Sequence, residues 1–148
     1  MKGSQITNIK DAKTFLLAGN ATFTVVSKIS KKRYTFKIQK GKGQEAPHFV
    51  KFLNGNNNES DFQFLGTIFS SATYRHSKKS TVKGDSTVVK TFKWLLNVIN
   101  GKFSESKFDL IEFWHEGSCG RCGRKLTVPS SIKTGMGPSC SKIIKLIK

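Results

Sequence analysis

Residues 113–140 read FWHEGSCGRCGRKLTVPSSIKTGMGPSC, the stretch with the most specific residue spacing in the chain. All three cysteines of the 148-residue chain lie within it, in the order His-x3-Cys-x2-Cys-x17-Cys. Three thiolates and one imidazole are a common ligand set for tetrahedral zinc. A two-residue spacing lets a tight turn aim both sulfurs at one point, and glycines suit such a turn. The pattern predicts a structural zinc site formed by His115, Cys119, Cys122 and Cys140.

Other interpretations of these cysteines stay open at this stage. The first two could be a redox pair, although such a pair usually precedes a helix in a βαβ unit, and here a basic stretch follows. One disulfide and one free thiol in a secreted chain is another alternative. For the fourth zinc ligand, His48 and His76 are alternatives to His115, at a greater distance along the chain.

The same stretch resembles a short zinc-finger-like domain that occurs in uncharacterised proteins of bacteriophages and their hosts. The resemblance rests on His115, residues 123–127, Pro129, residues 131–132, Gly135, residues 137–138 and Cys140. Residues 18–24 are similar to the start of a domain that accompanies it. The resemblance implies zinc binding and a phage setting, and it implies no particular reaction.

Charge is the second large feature of the chain. Lys and Arg total 26 against 9 acidic residues, which gives a formal net charge of +17. The excess is spread over both halves, with 11 basic and 4 acidic residues in 1–74, and 15 and 5 in 75–148. A field of this sign attracts polyanions, nucleic acid first among them. A lysine-rich surface that serves only solubility is the alternative.

Two local groups of cations are the predicted contacts to nucleic-acid backbone. The first surrounds the cysteine pair and the second lies in a polar segment at residues 70–85 that reads as a loop. The predicted contact residues are Arg121, Arg124 and Lys125 in the first group, and Arg75, Lys78 and Lys79 in the second. Basic residues on a zinc knuckle suit phosphate contact.

The hydrophobic periodicity predicts an α+β fold. Its parts are a small antiparallel sheet with packed helices and a C-terminal zinc-knuckle or zinc-ribbon-like element. We expect helices at residues 8–19 and 86–100, four strands at 21–27, 33–39, 48–53 and 62–69, and a further strand at 108–114. A last helix begins at Pro138 and carries Cys140 in its first turn. The predicted units are 1–104, an α+β domain, and 105–148, the zinc-binding element.

Several function classes are disfavoured. No run of about 20 apolar residues exists, so a membrane span is not expected, and the absence of an apolar leader favours the cytoplasm. The acids are too few and scattered for a metal-dependent nuclease, so no enzyme is expected. The main hypothesis is a small phage-type nucleic-acid-binding protein. The alternatives are an interaction module that binds a host or defence protein, and an accessory subunit of a replication or recombination enzyme.

Residues 135–138 (Gly-Met-Gly-Pro) allow two interpretations. Glycines before a helix can expose backbone N–H groups to a phosphate. The second interpretation, which we favour, is that they let the backbone approach the zinc ligands, since Cys140 follows immediately.

Overall fold

The computed structural model describes residues 4–43, 46–55, 61–69, 73–127 and 129–147. Its strands are β1 (Ser4–Gln5), β2 (Asn20–Ser27), β3 (Arg33–Lys40), β4 (His48–Leu53), β5 (Phe62–Ile68), β6 (Tyr74–His76) and β7 (Ile111–His115). Its helices are α1 (Ile9–Leu16), α2 (Thr87–Ile99), α3 (Pro129–Thr134) and α4 (Pro138–Ile147), with a 3-10 helix at Glu105–Leu110. None of the described helices is long and apolar enough to cross a bilayer.

The strands form one antiparallel sheet in the order β1-β7-β2-β3-β4-β5-β6. Apolar and polar residues alternate along the central strands. Because successive side chains of a strand point to opposite faces of the sheet, this alternation makes one face apolar. In β3, for example, Phe36 and Ile38 are buried while Lys37 between them remains partly accessible. The predicted α+β class with a small antiparallel sheet is confirmed.

Helices α1 and α2 cover one face of the sheet, and the hydrophobic core lies between these helices and the sheet. Asn8 caps α1 through its side-chain oxygen, which accepts hydrogen bonds from the N–H groups of the first turn. On α2, Phe92 packs against Phe36 of β3 and Tyr74 of β6, with ring centroids 5.0 and 5.3 Å away. We call this side of the sheet the helical face.

The opposite side, which we call the open face, is not covered by any of the described helices. It carries the even-numbered residues of β2, the odd-numbered residues of β3 and β4, and selected residues of the other strands. Those others are Phe62, Phe64, Thr67, Arg75, Glu112 and Trp114.

The sheet has more strands than the four predicted at residues 21–70, because β1, β6 and β7 add to both of its edges. Strand β6 lies inside the segment 70–85 that was predicted to be a loop, of which residues 70–72 fall outside the described ranges. The strand predicted at 108–114 begins only at Ile111, after the 3-10 helix. Short edge strands carry too few residues for their alternation to be read from sequence.

The predicted boundary between residues 104 and 105 needs correction. Strand β7 belongs to the predicted second unit, yet it lies inside the sheet between β1 and β2. Its Phe113 stacks on Phe23 of β2 with ring centroids 4.6 Å apart, and it also meets Phe15 of α1 edge-on at 6.1 Å. The sheet therefore continues into the segment that carries the cysteines.

Phe113→Ala tests this continuity. Removing a fully buried aromatic ring from the core should lower the free energy of unfolding of the whole sheet by about 3–5 kcal/mol. The matched control is Leu110→Ala, since Leu110 is 38% exposed and its truncation should change stability by roughly 0.5 kcal/mol or less. Urea denaturation followed by circular dichroism measures both. Equal midpoints for Phe113→Ala and wild type would show that β7 is not part of the core.

Candidate metal centre

The three cysteines, distant in sequence, come together at one end of the sheet. The sulfurs of Cys119, Cys122 and Cys140 all lie within 4.8 Å of one another. None of the three forms a disulfide; Cys119 and Cys140 are buried and Cys122 is exposed. Two sulfurs on one zinc ion lie about 3.8 Å apart, given Zn–S bonds of about 2.3 Å and tetrahedral angles. The cluster can therefore hold a metal ion after a small contraction.

A tight turn brings the first two cysteines together. The Cys119 N–H donates to the Arg124 carbonyl at 2.8 Å, and the Gly123 N–H donates back to the Cys119 carbonyl at 2.9 Å. Gly123 has a φ of +80°, a conformation that glycine adopts without steric cost. The bridge between Ser118 and Lys125 closes the turn. The third sulfur comes from the first turn of α4, as predicted for Cys140.

Backbone N–H groups point at the sulfur of Cys119, an arrangement that stabilises a thiolate. Arg121 and Gly137 donate to it at 3.4 and 3.3 Å. Burial alone raises the pKa of the Cys119 thiol, but N–H donation from Cys122, Gly137 and Arg121 outweighs it and brings the pKa down to about 7. The glycine turn at residues 135–138 thus reaches the cysteines, in line with the second of its two interpretations.

The Cys140 thiol is in a different electrostatic position. Burial raises its pKa, and the adjacent sulfurs of Cys119 and Cys122 raise it further, while the Arg121 guanidinium opposes the shift. That guanidinium lies 3.6 Å from the Cys140 sulfur. Thiolates in mutual contact repel one another, so a cation between them is the natural stabiliser of the charged set.

His115 is not a member of this cluster, so its assignment as the fourth ligand needs correction. It ends β7 on the helical face, where its ring packs against Phe15 with centroids 5.7 Å apart. Its Nδ1 accepts the Gly117 N–H at 2.9 Å, and its Nε2 contacts the carbonyl of Ile132. Because Nδ1 accepts, Nε2 carries the proton and donates to that carbonyl. Burial lowers the pKa of His115, and the hydrogen bond to Ile132 opposes this shift only in part. The lowered pKa favours the neutral ring.

The alternative fourth ligands are also engaged elsewhere. The Nε2 atom of His48 contacts the carbonyl of Leu17 at 3.0 Å, and His76 bridges Tyr74 and the carbonyl of Val82. Among the described residues, no His, Asp or Glu side chain joins the three sulfurs. Those residues supply three ligands of the four that a structural zinc ion takes.

The segment from Gly117 to Cys140, which we call the clip, is fixed to the sheet by backbone and side-chain contacts. The Asn20 N–H at the start of β2 donates to the Gly120 carbonyl at 2.7 Å, and the Gly120 N–H donates to the Gly135 carbonyl at 2.8 Å. A Cβ at Gly120 would lie 2.6 Å from the Phe15 ring. Only glycine allows the clip to approach α1 this closely. These glycines carry no ligand atom, and the cysteine spacing alone does not reveal their role.

The basic residues predicted to contact nucleic acid are all exposed, in two places. Arg121, Arg124 and Lys125 lie on the clip, beside a groove of about 380 Å³ that the three cysteines also line. None of the residues that line this groove is acidic. Arg75 lies on strand β6, and Lys78 and Lys79 lie in the turn that follows it.

Comparison with known proteins agrees with this picture only for the C-terminal part. Residues 113–144 match the sequence profile of DUF6011, which is described as a family of unknown function. The match covers the end of β7, the clip and the first part of α4, about a fifth of the chain. No curated protein and no solved structure matches the chain. The predicted resemblance to a short domain without a known reaction is confirmed in this segment, and the phage setting stays a prediction.

Two substitutions test whether Cys119 binds the metal and whether His115 is only its structural neighbour. Cys119→Ser should reduce bound metal to less than half an equivalent, because it removes one of the three sulfurs. His115→Gln should keep the full metal content and lose about 1–3 kcal/mol of stability, the cost of disturbing buried hydrogen bonds. Inductively coupled plasma mass spectrometry of purified protein measures the metal-to-protein ratio. Equal metal loss in both variants would return His115 to the ligand set.

Proposed function

We propose that this chain is a small zinc-stabilised protein that binds nucleic acid through the cations of the clip. The observation that carries the proposal is the acid-free groove, where Arg124 and Lys125 are exposed on a turn held by the cysteine cluster. A turn whose backbone is already fixed presents its cations with little further loss of backbone entropy on binding. The net charge of +17 supplies long-range attraction for a polyanion.

Zinc is the proposed metal because of the chemistry of the donor set. Thiolates favour soft or borderline metals, and a Cys-x2-Cys turn with a distant third cysteine is a common zinc arrangement. The N–H groups of Arg121 and Gly137 on Cys119 are neighbours that stabilise a coordinated thiolate. Bound there, zinc would hold the clip in one conformation. We propose a binding role and no catalytic one.

The two predicted basic groups differ in how well they fit phosphate contact. Arg124 and Lys125 reach solvent beside the groove, whereas Arg121 also donates toward the Cys140 sulfur and so helps to hold the cluster. Arg75 lies with its guanidinium 5.3 Å from the Phe69 ring centroid.

The setting we propose, the cytoplasm of a phage-infected cell, follows from the resemblance of the clip to a phage-associated domain.

The double substitution Arg124→Ala with Lys125→Ala tests the proposal. Each lost phosphate contact should lower the slope of log affinity against log salt by about one unit on duplex DNA, so the slope should fall by about two. Bound zinc should be unchanged, since neither residue supplies a ligand. The matched control is Lys90→Ala with Lys93→Ala, which removes the same charge from exposed positions of α2. Fluorescence anisotropy at several salt concentrations, on duplex DNA, single-stranded DNA and RNA, measures all three proteins.

Two results would overturn the proposal. Wild-type protein that binds none of the three nucleic acids at moderate salt would assign the charge to another partner, such as a host protein. A clip variant whose salt slope equals that of the α2 control would show that the clip is only a structural element.

A further inference from the structure

The open face carries large aromatic side chains in positions where a solvent-facing sheet usually carries polar ones. Phe49 is 38% exposed, and Phe62, Phe64 and Trp114 are half-buried. Phe49 and Phe64 form a pair with ring centroids 6.3 Å apart. An apolar surface of this kind on a sheet, without a covering helix among the described ones, indicates a contact site for a ligand.

Lysine side chains lie between these aromatic rings, and two of the lysines are cross-strand neighbours. Lys37 on β3 is directly opposite Lys51 on β4 in the sheet register. Like charges in directly opposed cross-strand positions are destabilising. Lys37 extends toward Phe62, with its Nζ 5.5 Å from the ring centroid. An anion bound over this pair would remove the repulsion, which makes the face complementary to a ligand that carries both negative charge and flat apolar groups.

Two acids, Glu112 and Glu116, lie on this side of the sheet, and Glu116 lines one depression together with Lys37 and Phe62. Glu112 on β7 accepts a hydrogen bond from the indole N–H of Trp114 at 2.9 Å, which fixes the orientation of that side chain. Glu116 lies beyond the end of β7, and burial raises its pKa. The alternating positions of β2 through β6 that face this side add Arg33, Lys37, Lys51 and Arg75, and no acid. The face is therefore basic as well as aromatic.

One cross-strand row of the open face joins the two basic groups that the sequence shows as separate. It starts at Asn20, whose N–H contacts the clip, and crosses β3, β4 and β5 to reach Arg75 on β6. The residues between are Gln39, Phe49 and Thr67. With strands about 4.8 Å apart, this row is roughly 19 Å long. A ligand that contacts the clip and Arg75 together must be extended, and along this row it passes over Phe49.

We propose that the open face binds single-stranded nucleic acid, with bases on Trp114, Phe49, Phe62 and Phe64 and backbone phosphates near Lys37 and Lys51. The proposal rests on the function proposed above and specifies its ligand. In a duplex the bases are already stacked on one another, so an aromatic sheet surface gains nothing from them. In a single strand every base has a free face, and stacking on aromatic side chains is insensitive to sequence.

The test uses zinc-loaded full-length protein and three fluorescent probes, oligo(dT) of 12 nucleotides, oligo(U) of the same length, and a hairpin duplex of equal phosphate number. Trp114→Leu and Phe64→Leu should each weaken binding to both single strands about tenfold, since a lost stacking contact is worth roughly 1–3 kcal/mol. Their affinity for the duplex should change less than threefold. The control is Phe103→Leu, because Phe103 is a 43% exposed aromatic outside this face.

Lys51→Gln gives a second readout that does not depend on aromatic packing. It should weaken single-strand binding and lower the salt slope by about 0.7. In free protein it should raise the melting temperature or leave it unchanged, because it removes the repulsion from Lys37. A purely structural lysine would show the opposite, with a lower melting temperature and unchanged affinity.

Trp114 also allows a direct optical test. The chain contains two tryptophans, so Trp94→Phe leaves Trp114 as the only one. Oligo(dT) should quench its fluorescence with the same midpoint as the anisotropy titration. A bound oligo(dT) without quenching would overturn the placement of bases on this face.

The remaining outcomes separate this proposal from the one on which it rests. Wild-type protein that binds none of the three probes would overturn both the proposed function and the open-face proposal. Binding that depends on Arg124 and Lys125 and is unaffected by Trp114→Leu and Phe64→Leu overturns only the open face. A dimer in light scattering that those two substitutions dissociate would show that a second copy of the chain covers this face, and this too overturns the proposal.

Discussion

The contact of Phe15 with the clip fixes the segment that carries the cysteines to helix α1 and, through it, to the core. The ring of this α1 residue occupies the space where side chains at Gly120 and Gly135 would stand. Gly135 also has a φ of +77°, which an L side chain rarely adopts. Any larger residue at either position would push the clip away from α1. The positions of the cysteine sulfurs relative to the sheet therefore depend on two glycines that bind nothing.

The docking of the clip on α1 also determines where the clip meets the open face. Since Gly120 accepts a hydrogen bond from Asn20, the clip starts where a cross-strand row of the open face starts. The clip therefore adjoins the end of the sheet at which this row begins. A metal ion that orders the clip would order this end of the open face as well. Under the proposed function, metal binding and nucleic-acid binding would be coupled through geometry, without any contact between the metal and the nucleic acid.

Local patterns predicted much of the fold, and long-range pairing limited the rest. The alternation at residues 33–39 and the helical period at residues 86–100 were enough to place β3 and α2. Strand β7 was predicted near its observed position, but its place between β1 and β2 depends on contacts with residues about 90 positions away. No local pattern encodes such a partner. The division at residue 104 was wrong for this reason.

For the candidate site too, the sequence predicted what depends on local structure and missed what depends on long-range pairing. The three cysteines were found by spacing alone, because a tight turn and a helix start are local structures. His115 has a ligand-like spacing too, yet the alternation of Ile111 and Phe113 continues into it and turns its ring toward the core. That alternation was the available signal against its assignment. The open face could not be found from sequence, since Lys37 and Lys51 become neighbours only through the register of β3 and β4.

The most direct measurement is a nitrogen-15 correlation spectrum of the zinc-loaded protein, titrated with a 12-nucleotide single strand. If the clip and the open face bind the strand together, the shifted amides include Arg124 on the clip and Trp114, Lys37 and Arg75 on the sheet. Residues exposed on α2, such as Lys93, should not shift. Shifts confined to the helical side, or to the clip without any strand of the sheet, would show that the open face does not bind the strand.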